Sequence, residues 1–115
     1  MSASEFQFRH FKIVQQVNPC KVGTDGILLG AWADVVGAKR ILDVGTGTGL
    51  IALMAAQRNP NARIDAIEIL EDCAGEASQN ASESPWGDRI LVIASDASTF
   101  CPLPDSYDRL ISNPP

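Results

Sequence analysis

The chain has 115 residues, of which 45% are hydrophobic and 20% charged, and its formal net charge is −5. That fits one globular domain and excludes a disordered or collagen-like chain. No apolar run approaches the ~20 residues that cross a bilayer, and the opening MSASEFQFRHF lacks the apolar stretch of a secretory signal.

The first segment alternates Phe6 and Phe8, then Phe11 and Ile13, which predicts a short strand or hairpin that Pro19 interrupts. It is also the only basic part. Residues 1–21 carry Arg9, Lys12 and Lys21 against Glu5, a charge of +2, and residues 22–115 carry −7. On charge alone a solvated terminal segment explains this better than a nucleic-acid footprint does. From Thr24 the spacing predicts a helix of about ten residues, capped by Thr24 or Asp25, with Ile27, Leu28, Ala31 and Trp32 on its packed face.

The remainder alternates strand and helix. Strands are predicted over 40–44, 63–69, 89–94 and 107–112, and helices over 50–58 and 71–82, with at most a short helix in 95–104. This is an α/β pattern, a doubly wound, mostly parallel sheet. Right-handed crossovers order the first three strands 3-2-1 and send the fourth to the other side of strand one. Ligands of such sheets lie at that switch point, beyond the carboxyl ends of the strands. The reading divides the chain into residues 1–36, a hairpin and helix packed beside the site, and 37–115, the front part of the sheet domain. A last strand at 107–112 would be an open apolar edge, so the expectation is the N-terminal part of a longer protein, inactive by itself.

Asp43-Val44-Gly45-Thr46-Gly47-Thr48-Gly49 joins the first strand of that sheet to a helix. Glycines let backbone turn sharply and approach a ligand with no Cβ in the way, although a plain tight turn needs them too. Glu68 ends the second strand, 21 residues after Gly47, where a carboxylate can accept both hydrogen bonds of a ribose diol. Leu50 stands where the dinucleotide fingerprint requires glycine, and the Asp43 carboxylate suits an ammonium or sulfonium better than a pyrophosphate. The loop resembles motif I of class I S-adenosylmethionine methyltransferases, which share a Rossmann-like fold. The resemblance implies cofactor contacts from Asp43, Gly45, Thr46, Gly47, Gly49 and Glu68. It also implies an adenine contact from Asp96, with the Ala97 N–H near the ring. By itself, Asp96 equally suits an N-cap.

Ser112-Asn113-Pro114-Pro115 follows the fourth strand. It resembles the Asn-Pro-Pro-aromatic motif of enzymes that methylate a planar amine. By that resemblance Asn113 and Pro114 are catalytic. The Asn113 side-chain oxygen and the Pro114 carbonyl would accept the amine's hydrogens and aim its lone pair at the methyl group. The block Lys21-Val22-Gly23-Thr24-Asp25-Gly26-Ile27-Leu28-Leu29-Gly30-Ala31-Trp32, with Ser84-Pro85-Trp86, resembles the bacterial tRNA1(Val) adenine-37 N6-methyltransferase family. That family implies a cytoplasmic tRNA-modifying enzyme with S-adenosylmethionine as cofactor and tRNA as partner, with no DNA or membrane partner. Thr24 and Asp25 become further cofactor candidates.

The alternatives are a protein-glutamine N5-methyltransferase, an NAD-type oxidoreductase and an inactive cofactor-binding module. Cys20, Cys73 and Cys101 are odd in number and far apart, against a disulfide framework or a metal cluster. His10 is expected on the surface, Trp32 and Trp86 in packing, and Cys73 and Cys101 as small packing residues.

Overall fold

A computed structural model describes residues 5–17 and 22–113. A two-stranded antiparallel hairpin, β1 (Glu5–Gln7) and β2 (Lys12–Val14), comes first. Helix α1 (Thr24–Trp32) follows. Then β3 (Arg40–Val44), α2 (Leu50–Arg58), β4 (Arg63–Glu68), α3 (Glu71–Ser82), a single 3-10 turn at Gly87–Arg89, β5 (Ile90–Ala94) and β6 (Arg109–Ser112) alternate as the sequence predicts. The segment predicted to hold at most a short helix contains only turns.

The four later strands form one parallel sheet in the order β5-β4-β3-β6. This is the expected 3-2-1-4 arrangement, with the switch point between β3 and β6. Ile41, Ile64, Ala66 and Ile111 meet Ile51, Ala52, Ala55 and Ala56 of α2 in the main core. Burying an isoleucine contributes roughly 2–3 kcal/mol, and the alanines let α2 lie close to the strands.

The hairpin adds a second cluster. Phe11 and Ile13 pack on Leu50 and Leu53. Phe8 stacks on Phe11 at 4.7 Å, and Trp86 meets Phe11 edge-on at 5.6 Å. Trp86 therefore packs as predicted, and His10 is exposed.

Helix α1 differs from expectation. Its buried residues are Gly26 and Gly30, whereas Leu28 is 40% and Trp32 77% exposed. The cause is steric: the α2 side chains Leu50 and Met54 fill the space that a Cβ at Gly26 or Gly30 would need. Two glycines give α1 a flat side on which α2 seats directly, and this outweighs the apolar periodicity. No side chain caps α1, and its N-cap is Gly23, not Thr24 or Asp25. Cys73 is buried as predicted, but Cys101 is exposed on the final crossover. Among the described residues, no helix is long and apolar enough to cross a membrane.

Candidate functional site

Asp43, Glu68 and Asn113 lie at the carboxyl ends of β3, β4 and β6, and Asp96 and Ala97 follow β5. Gly45, Gly47 and Gly49 have φ of +74°, +57° and +89°, a region that only glycine enters without strain. The Gly45 and Thr46 N–H groups both donate to the Ile67 carbonyl at 2.9 Å, which folds the loop over the end of β4. Nothing lies within 4 Å of where a Gly45 Cβ would point, so the backbone faces open space there, whereas Gly49 packs on Ala77 of α3.

Asp43 lies beneath this loop, 1% exposed. Its Oδ2 accepts the Thr46 hydroxyl at 2.7 Å. Its Oδ1 is buried and has no hydrogen-bond partner among the described residues. Burial pushes the Asp43 pKa up to about 6. The Thr46 hydroxyl and the Ala52 backbone amide pull against that rise, and the Glu68 charge adds to it. The Ala52 amide favours the carboxylate without closing a hydrogen bond to Oδ1.

Glu68 is 9% exposed and spans the crevice wall. Its Oε1 accepts the Gly47 N–H at 2.9 Å and its Oε2 the Leu70 N–H at 3.2 Å. Each carboxylate oxygen keeps a lone pair for a further donor. Beside Glu68 the surface opens into a depression of about 570 Å³ lined by Val17 and residues 69–73. Ile69 and Leu70 are 61% and 50% exposed there, an apolar rim that the sequence reading passed over. The available signal was their position after a strand-end carboxylate.

Asp96 lies two residues past Ala94, the partner of Glu68 in the β4–β5 register. Its Oδ1 accepts the Ser98 N–H at 2.9 Å, so it does form the turn cap that its residue type suits. The Ser98 amide and hydroxyl hold its pKa below the usual carboxylate range, leaving an anion whose Oδ2 can accept an exocyclic amine. Ala97 is exposed beside it.

On the other side of β3, the register Val44↔Ser112 places Asn113 level with Gly45. Asn113 is exposed. A Cβ at Gly26 would stand 3.5 Å from the Asn113 Nδ2 and 3.2 Å from Leu50 Cδ2, so the first turn of α1 backs directly onto this amide. Thr24 and Asp25, both exposed, occupy that same turn. Lys21, Pro114 and Pro115 lie outside the described residues.

The fold and the loop define a doubly wound α/β domain. Its carboxyl-end crevice carries the Glu68 carboxylate, the buried Asp43 and the Asn113 amide at the switch point. Comparison with known proteins gives the family and the fold. Residues 23–115 match the methyltransferase small domain model, and the chain belongs to that family. It is 56% identical over 111 residues to a protein of Bacteroides thetaiotaomicron named tRNA1(Val) (adenine(37)-N6)-methyltransferase, covering 96% of this chain and 46% of that one. A protein of the same name from Aeromonas hydrophila is 51% identical over 113 residues, covering 97% and 47%. The chain thus spans about half the length of the curated relatives it matches.

Among solved structures, the mitomycin 7-O-methyltransferase MmcR superposes with a TM-score of 0.67 at 23% identity, over 76% of this chain and 25% of that one. The S-adenosylmethionine-dependent methyltransferase SibL gives 0.64 at 24%, over 76% and 25%. At that identity the likeness concerns the fold.

Proposed function

We propose that the chain forms the cofactor half of a methyltransferase that uses S-adenosylmethionine to methylate the N6 amine of an adenine in tRNA. Similarity to the named relatives points to adenine 37 of tRNA1(Val). The observation that carries this reading is the register between β3 and β6. It sets Asn113 level with Gly45, so an acceptor-type amide adjoins a cofactor-type glycine loop.

The residues present fit the cofactor. Asp43 Oδ1 is a buried acceptor lacking a donor, suited to a ligand carrying ammonium and sulfonium charge. Gly45 leaves room for backbone approach. Glu68 retains lone pairs for a ribose diol, and the exposed Ile69 and Leu70 offer a base an apolar surface. S-adenosylmethionine supplies an activated methyl group when bound. The chain's task is then positioning and electrostatics. Asp43, Thr46 and the loop glycines hold the amino-acid end, while Glu68, Asp96 and the Ala97 amide hold the nucleoside.

The Asn113 Oδ1 and the Pro114 carbonyl accept the amine's hydrogens, which favours a pyramidal nitrogen with its lone pair directed at the methyl group. The proton leaves after transfer, so no strong base is required. The chain divides at residue 36 into an N-terminal part that serves the cofactor side, with Thr24 and Asp25 at its rim, and the sheet domain. A tRNA substrate places the enzyme in the cytoplasm. The target adenine must leave its stack to reach the crevice.

The test is methyl transfer from labelled S-adenosylmethionine by the intact gene product, offered unmodified tRNA and total protein side by side. Label recovered as N6-methyladenosine after nucleoside digestion is the expected result. Label in protein glutamine, or in no acceptor, contradicts it.

A further inference from the structure

Helix α3 turns a mostly small and apolar face inward through Cys73, Ala74, Ala77 and Ala81, yet Glu76 and Asn80 are buried on it as well. Asn80 is 1% exposed. Asparagine is a weak helix former and an expensive group to bury, so packing alone does not explain it. Its hydrogen bonds do. The Val14 N–H donates to Asn80 Oδ1 at 2.9 Å, and Asn80 Nδ2 donates back to the Val14 carbonyl at 2.9 Å. The amide therefore pairs with Val14 as a neighbouring strand's peptide group would. The second Nδ2 hydrogen goes to the Thr48 carbonyl of the glycine loop at 2.8 Å. Two carbonyls demand the nitrogen and one N–H demands the oxygen, which fixes the amide's orientation.

Both partners lead to the site. Thr48 follows Gly47, whose N–H binds Glu68. Val14 precedes Gln15, whose Oε1 accepts the Val22 N–H at 2.9 Å just ahead of α1. The first turn of α1 backs onto Asn113. One turn before Asn80, Glu76 Oε2 accepts the Gln16 and Val17 N–H groups at 2.7 and 3.0 Å. Asn80 joins loop and N-terminal segment through one side chain.

We propose that Asn80 is a positioning residue that links order in the glycine loop to docking of the N-terminal segment, and through it to α1 behind Asn113. The proposal deepens the reading above and rests on the glycine loop being the cofactor site. It follows that a ligand ordering the loop also orders residues 12–17 and 22–27, most of which lie outside the loop's own contacts.

Amide hydrogen exchange of the intact protein, with and without saturating S-adenosylhomocysteine, tests this. In the wild type the ligand is expected to slow exchange about tenfold both in 45–49 and in 12–17 and 22–27. In Asn80→Ala it should slow 45–49 alone. A purely structural role would change exchange equally in both ligand states. Glu76→Gln keeps an acceptor for Gln16 and Val17 and leaves Asn80 intact, so it should keep the wild-type response. Protection of both regions in Asn80→Ala, or of 45–49 alone in the wild type, overturns the proposal. The wild-type arm decides even where Asn80→Ala does not fold. If the wild type binds no S-adenosylhomocysteine, the cofactor reading fails separately. The link is then judged without ligand in two backgrounds: Ile13→Ala should accelerate exchange in 45–49 as well as 12–17 when Asn80 is present and in 12–17 alone with Asn80→Ala, and the same response in both backgrounds overturns it.

Discussion

The two ends of the sheet treat their polar groups differently. At the amino end they are paired. Asn59 Nδ2 donates to the Val35 and Ala38 carbonyls at 2.7 and 2.8 Å. Arg89 donates to the carbonyls of Ala56, Asn59 and Ala62 at the end of α2. Asp108 accepts the Lys39 and Arg40 N–H groups, and Asp65 accepts Arg40 and the Tyr107 hydroxyl. At the carboxyl end, Asp43 Oδ1 has no hydrogen-bond partner among the described residues and Asn113 is exposed. Positive φ does not separate the ends, because Gly37 and Asp105 at the amino end have it as well as the loop glycines. The difference lies in the unpaired buried carboxylate oxygen, and such a group marks a place to look for a ligand.

Substitutions at each end should separate the two roles. Asn113→Ala should lower kcat by roughly a hundredfold or more, the range for losing one polar contact to a transition state. Affinity for S-adenosylmethionine should stay within about threefold, measured by titration calorimetry. Unchanged turnover would remove Asn113 from the chemistry. Next in size, Asn59→Ala leaves the buried Ala38 carbonyl unpaired and the Val35 carbonyl with only the Ala38 N–H, and should cost about 1–3 kcal/mol in denaturant unfolding, with cofactor affinity of the folded fraction unchanged. The smallest effect is expected for Gly26→Ala. The new methyl presses on the movable end of Leu50 and touches Asn113. Turnover should fall a few-fold while the melting temperature shifts by only about 2 °C. A larger loss of stability than of turnover would make Gly26 a packing residue only.

Much of this was legible in the sequence because local chemistry and tertiary structure agree. The bounds of β3, α2 and α3 follow from apolar runs punctuated by Gly45–Gly49, Asn59-Pro60 and the acidic Glu71-Asp72. Crossover handedness then fixed the strand order, and with it the convergence of Asp43, Glu68 and Asn113. Helix α1 departs from the pattern at Leu28 and Trp32 because periodicity counts its own apolar side chains, whereas Gly26 and Gly30 set the packed face by leaving room for Leu50 and Met54. Glu76 and Asn80 were invisible for another reason. Their partners are main-chain groups about sixty residues away in sequence, and no residue pattern announces a backbone acceptor. Asp96 takes the turn-cap role that its residue type suits, as the sequence equally allowed.

The central claim is that the carboxyl end holds a charge meant for a ligand, and Asp43→Asn tests it most directly. Asp43 has its folded pKa raised from 3.8 to about 6. The stability tied to its protonated form is therefore present below pH 3.8 and lost as pH rises through about 6. Ionised Asp43 then costs the ligand-free fold about 3 kcal/mol. Melting curves and calorimetric titration of wild type and variant, run from pH 4 to 8, give both readouts. The account predicts that Asp43→Asn is the more stable protein above about pH 6. It also predicts at least tenfold weaker binding of S-adenosylmethionine at neutral pH, with wild-type affinity falling as pH drops through that same range. A variant that loses stability at neutral pH, or that binds the cofactor as tightly as the wild type, would contradict it.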